Sequence, residues 1–415
     1  MVEGIKSGAR SLSGTPGPRR WLEDPPKAAV IALCAAVLGL RRAEAWSNPQ
    51  FWAEDGVFYA RARIAGSHAF LETMGGYLHT VLRAVAAVAA RADPAWAPAI
   101  FVAAATAATL YVAGLAISGR SNLPRFAGFS ALAVVLVPET HEVLLNLVNL
   151  QWVLGAGLIL VLLSSEPLRP GQRAHDFVAA AAMGLTGPFC IILLPLFLLR
   201  AARRRTKASF LLCAIVGACA VVQALMLRSE PASPLYGAQG SIPYRFILPI
   251  IGRRIGGSIL MGSLLGPDTD QVIGSLVGLM TLAGVAFLAF RPGLHRTVRT
   301  GLGLAFFLML AGTLYRASNG FFLFFTPETR ARYVYIPQLL AIWLLITAAA
   351  QPGRAGRICA FLCAWALLVN LPRLHEPAYR DLHWRDYAAR IRAGEAVSIP
   401  INPRGFRVEL PAGAE

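Results

Sequence analysis

The stretch D-F-V-A-A-A-A-M-G-L-T-G-P-F-C-I-I-L-L-P-L-F-L-L-R, Asp176 to Arg200, decides how the chain is threaded. Its length suits one membrane crossing, yet Arg169 and Arg173 precede it, and Arg203, Arg204, Arg205 and Lys207 follow it. The positive-inside rule assigns both flanks to the cytoplasm. Thr186-Gly187-Pro188 stands at the centre, where glycine and proline can break a helix. The segment therefore reads as two short helices, 176–187 and 188–200, that form a hairpin entered from the cytoplasmic side.

Working outward, the chain has 415 residues, of which 56% are hydrophobic and 15% charged, with a mean hydropathy of +0.55. Such values exclude a soluble globular protein. The apolar runs lack the ten-residue alternation of a β-barrel. Candidate spans are 26–42, 95–118, 126–138, 151–164, 176–187, 188–200, 208–227, 271–290, 301–315, 333–350 and 357–371. The expected fold is an all-α polytopic membrane protein with about 11 transmembrane or half-spanning helices. A net charge of +17 invites a nucleic-acid reading. The arginines, however, lie mainly between apolar runs, where orientation and lipid headgroups explain them, so no nucleic-acid partner is expected. All six cysteines sit in apolar runs without metal-ligand spacing.

With the hairpin in place, 1–27, 119–125, 165–175, 200–207, 291–300 and 351–357 face the cytoplasm. Nearly half of the lysines and arginines fall in these short segments, and most acids fall in the others. The expected division is a cytoplasmic tail (1–27), a transmembrane domain (28–371) whose first extracytoplasmic loop is 43–94, and a small extracytoplasmic segment (372–415). The N-terminal run reads as an uncleaved signal anchor of a multi-pass inner-membrane protein, although Ala43-Glu44-Ala45 mimics a cleavage site.

The outer segments carry the candidate chemistry. F-W-A-E-D-G-V-F-Y, Phe51 to Tyr59, places Glu54 and Asp55 among four aromatic rings just after the first apolar run. These are the expected catalytic carboxylates, or else ordinary loop acids in an interfacial aromatic belt. Two surface helices should follow, Val57 to Ile64 and Tyr77 to Arg91, the second bringing His79 and Arg83 onto one face. In P-E-T-H-E-V-L-L-N-L-V-N-L-Q-W, Pro138 to Trp152, the residues Glu139, His141, Glu142, Asn146, Asn149 and Gln151 stand at the mouth of two spans. Asn149 and Gln151 line a cavity, or Asn149 caps a helix. The loop 228–270 has a polar tip with Tyr236, Gly237 and Gly240, and then Arg253-Arg254, a phosphate clamp or a pair snorkelling to headgroups. Arg330, Arg332 and Tyr333 follow an aromatic patch of Phe321, Phe322, Phe324 and Phe325. The C-terminal piece reads as a helix ending at Gly394, then a strand or hairpin.

A first span, an acidic motif in a large outer loop with surface helices, and many spans with short links together resemble the GT-C glycosyltransferases. The resemblance rests on F-W-A-E-D-G, N-L-V-N-L-Q-W and R-A-R-Y-V-Y-I-P. It implies transfer of a sugar from a polyprenyl-phosphate donor to a glycan, lipid or protein acceptor on the outer face, with membrane lipids around it. It further implies that Asp55, with Glu54 beside it, activates the acceptor or binds a divalent metal such as Mg or Mn. The adjacent pair departs from the separated acids of many members. Inverting transfer needs a carboxylate for the acceptor proton and cations for the departing phosphate, here Arg253, Arg254, Arg330 and Arg332. On this reading Asp55→Asn abolishes transfer. A transporter or flippase of lipid-linked sugars and a non-enzymatic envelope-assembly protein are the alternatives.

Overall fold

A computed structural model describes residues 26–123, 126–229, 242–262, 270–326 and 330–414. The predicted tail 1–27 lies almost wholly outside these, and so does the polar tip at Tyr236, Gly237 and Gly240. The chain is mostly helical, 72%. Each apolar segment expected from sequence is a helix. Among the described residues, six helices are long and apolar enough to cross a membrane: Pro94–Ala116, Lys207–Ser229, Gln271–Phe290, Arg296–Arg316, Ala331–Ala349 and Arg354–Arg373. That is the make-up of a multi-pass membrane protein. The other apolar helices have 10 to 16 residues: α1 (Lys27–Arg41), α6 (Ala127–Leu136), α7 (Leu150–Leu163), α8 (Pro170–Gly184) and α9 (Phe189–Arg204).

Short helices are stable here because they are surrounded. Helix α7 buries every residue except Gln151. It packs against α5 (Ala97–Ala116), α8, α9, α14 (Arg296–Arg316) and α15 (Ala331–Ala349). A Cβ on Gly155 would sit 2.8 Å from Phe189 and 2.9 Å from Ile336, so the bare backbone is what lets these neighbours close in.

Helices α8 and α9 form the expected hairpin. Near the start of α8, Asp176 accepts a 2.9 Å hydrogen bond from Arg120, which also donates to the Ser165 carbonyl. Near the end of α9, Arg200 donates to the carbonyls of Val161 and Leu162. Both open ends thus converge on the C-terminal end of α7. The tip reaches the other end, where the Gly187 N–H donates to the Leu78 carbonyl at 3.0 Å. Gly187 takes φ +92° there, a value that favours glycine. Glu166 ties the base together by accepting from Arg204, Thr206 and Ser209. Burial pushes its carboxyl up, but these bonds and the Arg200 charge outweigh it and hold the group at about 2.

Three features differ from the sequence reading. The hairpin spans 170–204 rather than 176–200, because Pro170 opens α8 at N1, where its missing N–H costs nothing. His79 precedes the second surface helix, α4 (Thr80–Arg91), instead of lying within it. Residues 244–260, expected in a loop, are helical: α11 (Tyr244–Ile251), a wide π-helical turn Gly252–Gly257, and α12 (Ser258–Leu260). This stretch lies backbone to backbone on α13 (Gln271–Phe290), where a Cβ at Gly252 would collide with the Gly274 carbonyl. The contact fixes the rotation that carries Arg253 and Arg254. Gly252→Ala should therefore destabilise the fold by roughly 1–3 kcal/mol, read as a lower unfolding temperature in detergent.

The C-terminal segment holds α17 (Trp384–Arg392) and an antiparallel pair, β1 (Val397–Ile401) with β2 (Phe406–Leu410). It packs on α3 (Asp55–Ala65), the first surface helix. Trp384 donates from its indole to the Pro94 carbonyl at 2.7 Å, and its ring lies edge-on to Phe51.

Candidate functional site

A cavity of about 730 Å³ opens between the end of α1, the loop 138–141, the π-helical turn and the C-terminal segment. Seven arginines line it, Arg41, Arg42, Arg253, Arg254, Arg373, Arg380 and Arg404, against two glutamates, Glu139 and Glu376. Its size is that of a small-molecule site.

The deep wall is an ion cluster. Arg41 and Arg42 are 1% and 2% exposed. Arg41 donates from Nε and Nη2 to Oε1 of Glu376 at 3.1 and 2.9 Å, and Arg42 donates to Oε2 at 2.9 Å. Thr140 adds a 2.8 Å hydroxyl bond to Oε1, and the Glu376 N–H donates to the Arg41 carbonyl. Burial pushes the Glu376 carboxyl up, but the charges of Arg41 and Arg42 outweigh it and hold it below its ordinary 4.5. The Arg42 guanidinium lies 3.9 Å from the Tyr379 ring centroid, and Trp52 stacks on the same ring at 4.5 Å.

Glu139 is the second acid. It is 6% exposed and ion-paired with Arg254 at 2.6 Å. Arg253 lies 4.9 Å from the Phe325 ring. Phe324 and Phe325 belong to the cavity wall, and Phe325 also meets Phe246, which packs against Phe321. The cationic wall thus adjoins an apolar aromatic cluster.

Of the expected site residues, only Arg253 and Arg254 line this cavity. From F-W-A-E-D-G it is Trp52, not an acid, that reaches it. Asp55 is 1% exposed, its Oδ1 accepting the Val148 N–H at 2.7 Å and its Oδ2 the Trp52 N–H at 3.2 Å. Burial pushes its carboxyl up to about 7, against the pull of those amide bonds. Ala53 donates its N–H to the Asn402 carbonyl, and a Cβ on Gly56 would meet Ile401 and Val408 at 2.7 Å. The motif is therefore a junction of the first loop, the second loop and the C-terminal hairpin. Glu54 directly precedes α3 at its N-cap position, with one carboxylate oxygen buried and without a hydrogen-bond partner.

His79 and Arg83 are internal to the first loop. His79 is 3% exposed and its Nε2 contacts the Met74 carbonyl at 3.0 Å; burial lowers its titration to about 4, so the ring is neutral. Arg83 lies 4.6 Å from the Phe58 ring and 3.6 Å from Glu72. Asn149 does not cap α7 with its side chain. It donates to the Glu142 carbonyl, while Asn146 Oδ1 accepts the Asn149 N–H at 3.1 Å. Gln151 lies against Gly187 at the hairpin tip. Glu142 reaches the Arg332 N–H at 3.5 Å, and Arg330 donates to the Asn319 carbonyl and stacks on Tyr333 at 5.3 Å. This second group meets the cavity wall at Phe324, which packs on Tyr333 at 6.4 Å.

Asp55 is poorly placed for a divalent metal, since it is 1% exposed and each of its carboxylate oxygens already accepts a backbone amide. Among the described residues no three His, Cys, Asp or Glu side chains converge as a metal site. The sequence reading placed Glu139 at a span mouth without a catalytic role, and gave Arg41, Arg42, Glu376 and Tyr379 no place in a site. The available signal was Arg41-Arg42 directly after an apolar run, which reads equally well as an orientation signal. No family model matches the chain, and neither a curated protein nor a solved structure does.

Proposed function

We propose that this chain is a membrane glycosyltransferase that moves a sugar from a polyprenyl-phosphate donor to a glycan, lipid or protein acceptor. The observation carrying this reading is the arginine-lined cavity holding Glu139 next to an aromatic, apolar wall. The donor phosphate lies against Arg253 and Arg254, and its prenyl chain leaves past Phe324 and Phe325. The acceptor hydroxyl oxygen attacks the anomeric carbon, and the carbon–oxygen bond to phosphate breaks. The phosphate departs with that electron pair, steadied by the arginines, while the hydroxyl proton passes to Glu139. Asp55 acts in this reading as a positioning residue that fixes the second loop through Val148.

Binding tests the first half of the reading. The purified chain in detergent should retain a polyprenyl phosphate well above the corresponding uncharged polyprenol. Arg253→Gln should lose roughly 10- to 100-fold in phosphate-lipid affinity, the scale of one charge-assisted bond at 1.5–3 kcal/mol. Equal affinity for phosphate and alcohol would sink the assignment.

A further inference from the structure

We infer a second binding site, for an anionic phospholipid, at the opposite end of α7. A cavity of about 420 Å³ there combines leucines, among them Leu162, Leu196, Leu199 and Leu304, with Arg200 and Arg203. Two independent features of its wall ask for an anion.

The first is the start of α14. This helix has 21 residues, and His295 before it takes φ +56° and makes no side-chain cap bond. The amides of its first turn have no carbonyl partner within the helix and carry its positive end. Thr297 and Val298 of that turn line the cavity. Such a terminus suits a phosphate oxygen.

The second is Arg200, which is 7% exposed and lines the same cavity. Its Nη1 donates to two α7 carbonyls and its Nη2 faces Glu166 at 3.3 Å. Its Nε is buried without a hydrogen-bond partner. Arg203 is exposed and stands outside the Glu166 cluster of Arg204, Thr206 and Ser209. A buried donor and an exposed cation thus meet an uncapped helix start. A free phosphate would satisfy these but leave the leucines unused. A phospholipid uses both, with its phosphodiester at the first-turn amides and one acyl chain along Leu196, Leu199 and Leu304. The lipid would join the hairpin arm α9 to α14, a role independent of sugar transfer.

Native mass spectrometry of the full chain in detergent tests this, with dioleoyl phosphatidylglycerol and dioleoyl phosphatidylcholine offered in equal amounts. The anionic phosphatidylglycerol should be retained preferentially. Arg203→Gln should reduce its retention roughly fivefold, the effect of one basic residue at an anionic lipid. Leu199→Trp, which fills the groove, should reduce retention of both lipids, and millimolar inorganic phosphate should displace neither. Equal retention of the two lipids, an unchanged Arg203→Gln variant, or displacement by phosphate would each overturn the assignment.

Discussion

Glu139→Gln is expected to lower sugar transfer by roughly 10²–10⁴-fold, the usual worth of a positioned proton acceptor. The substitution keeps the shape and one acceptor oxygen but removes the base. Its carboxylate sits in the cavity beside Arg254, whereas the Glu376 carboxylate is already engaged by two arginines and Thr140. The loss should appear in kcat, with phosphate-lipid binding retained through Arg253. Asp55→Asn provides the contrast. The amide accepts one of the two backbone N–H groups and opposes the other, so stability should fall by about 1–3 kcal/mol while the folded fraction still turns over. Full activity in Glu139→Gln, or loss of activity in well-folded Asp55→Asn, would return the base to the first loop.

Glu376→Ala should be the most damaging single change to the fold, at about 3–5 kcal/mol, because it strands two buried guanidinium groups. It also unfastens the C-terminal segment from the end of α1. Unfolding temperature reports the first effect, and protease cleavage within 377–414 at temperatures below unfolding reports the second. The same latch is sensitive to acid. Its folded carboxyl titrates below the ordinary 4.5, so its contribution is present above that value and disappears as pH falls through the folded value. A smaller fall in unfolding temperature between pH 6 and the acid limit in Glu376→Gln than in the parent would locate part of that sensitivity here, the remainder belonging to groups such as Glu166.

The helical core was legible because it rests on local signals. The apolar runs, the arginines flanking Asp176–Arg200 and the Gly187-Pro188 break each act within a few residues, and together they specify the hairpin. Residues 244–260 were less legible, since Pro249 and three glycines within Gly252–Gly257 argue against a helix locally. Packing on α13 overrides that, and the same glycines permit it. The cavity was legible only in part. Arg253 and Arg254 stood out as a pair, but Glu139, the partner of Arg254, lies more than a hundred residues away. Glu376 meets Arg41 across 335 residues, a pairing that no periodicity encodes. In F-W-A-E-D-G the acids drew attention by composition, yet the backbone of the folded loop turns Asp55 inward and Trp52 toward the cavity.

The most direct test of the central claim is photolabelling of the purified chain with a polyprenyl phosphate carrying a photoreactive group beside the phosphate. The account predicts adducts at cavity residues, Trp52, Phe325 and Tyr379 foremost, that an unlabelled polyprenyl phosphate suppresses and Arg253→Gln diminishes. Suppressible adducts confined to the His79–Arg83 region, with none at the cavity wall, would contradict it.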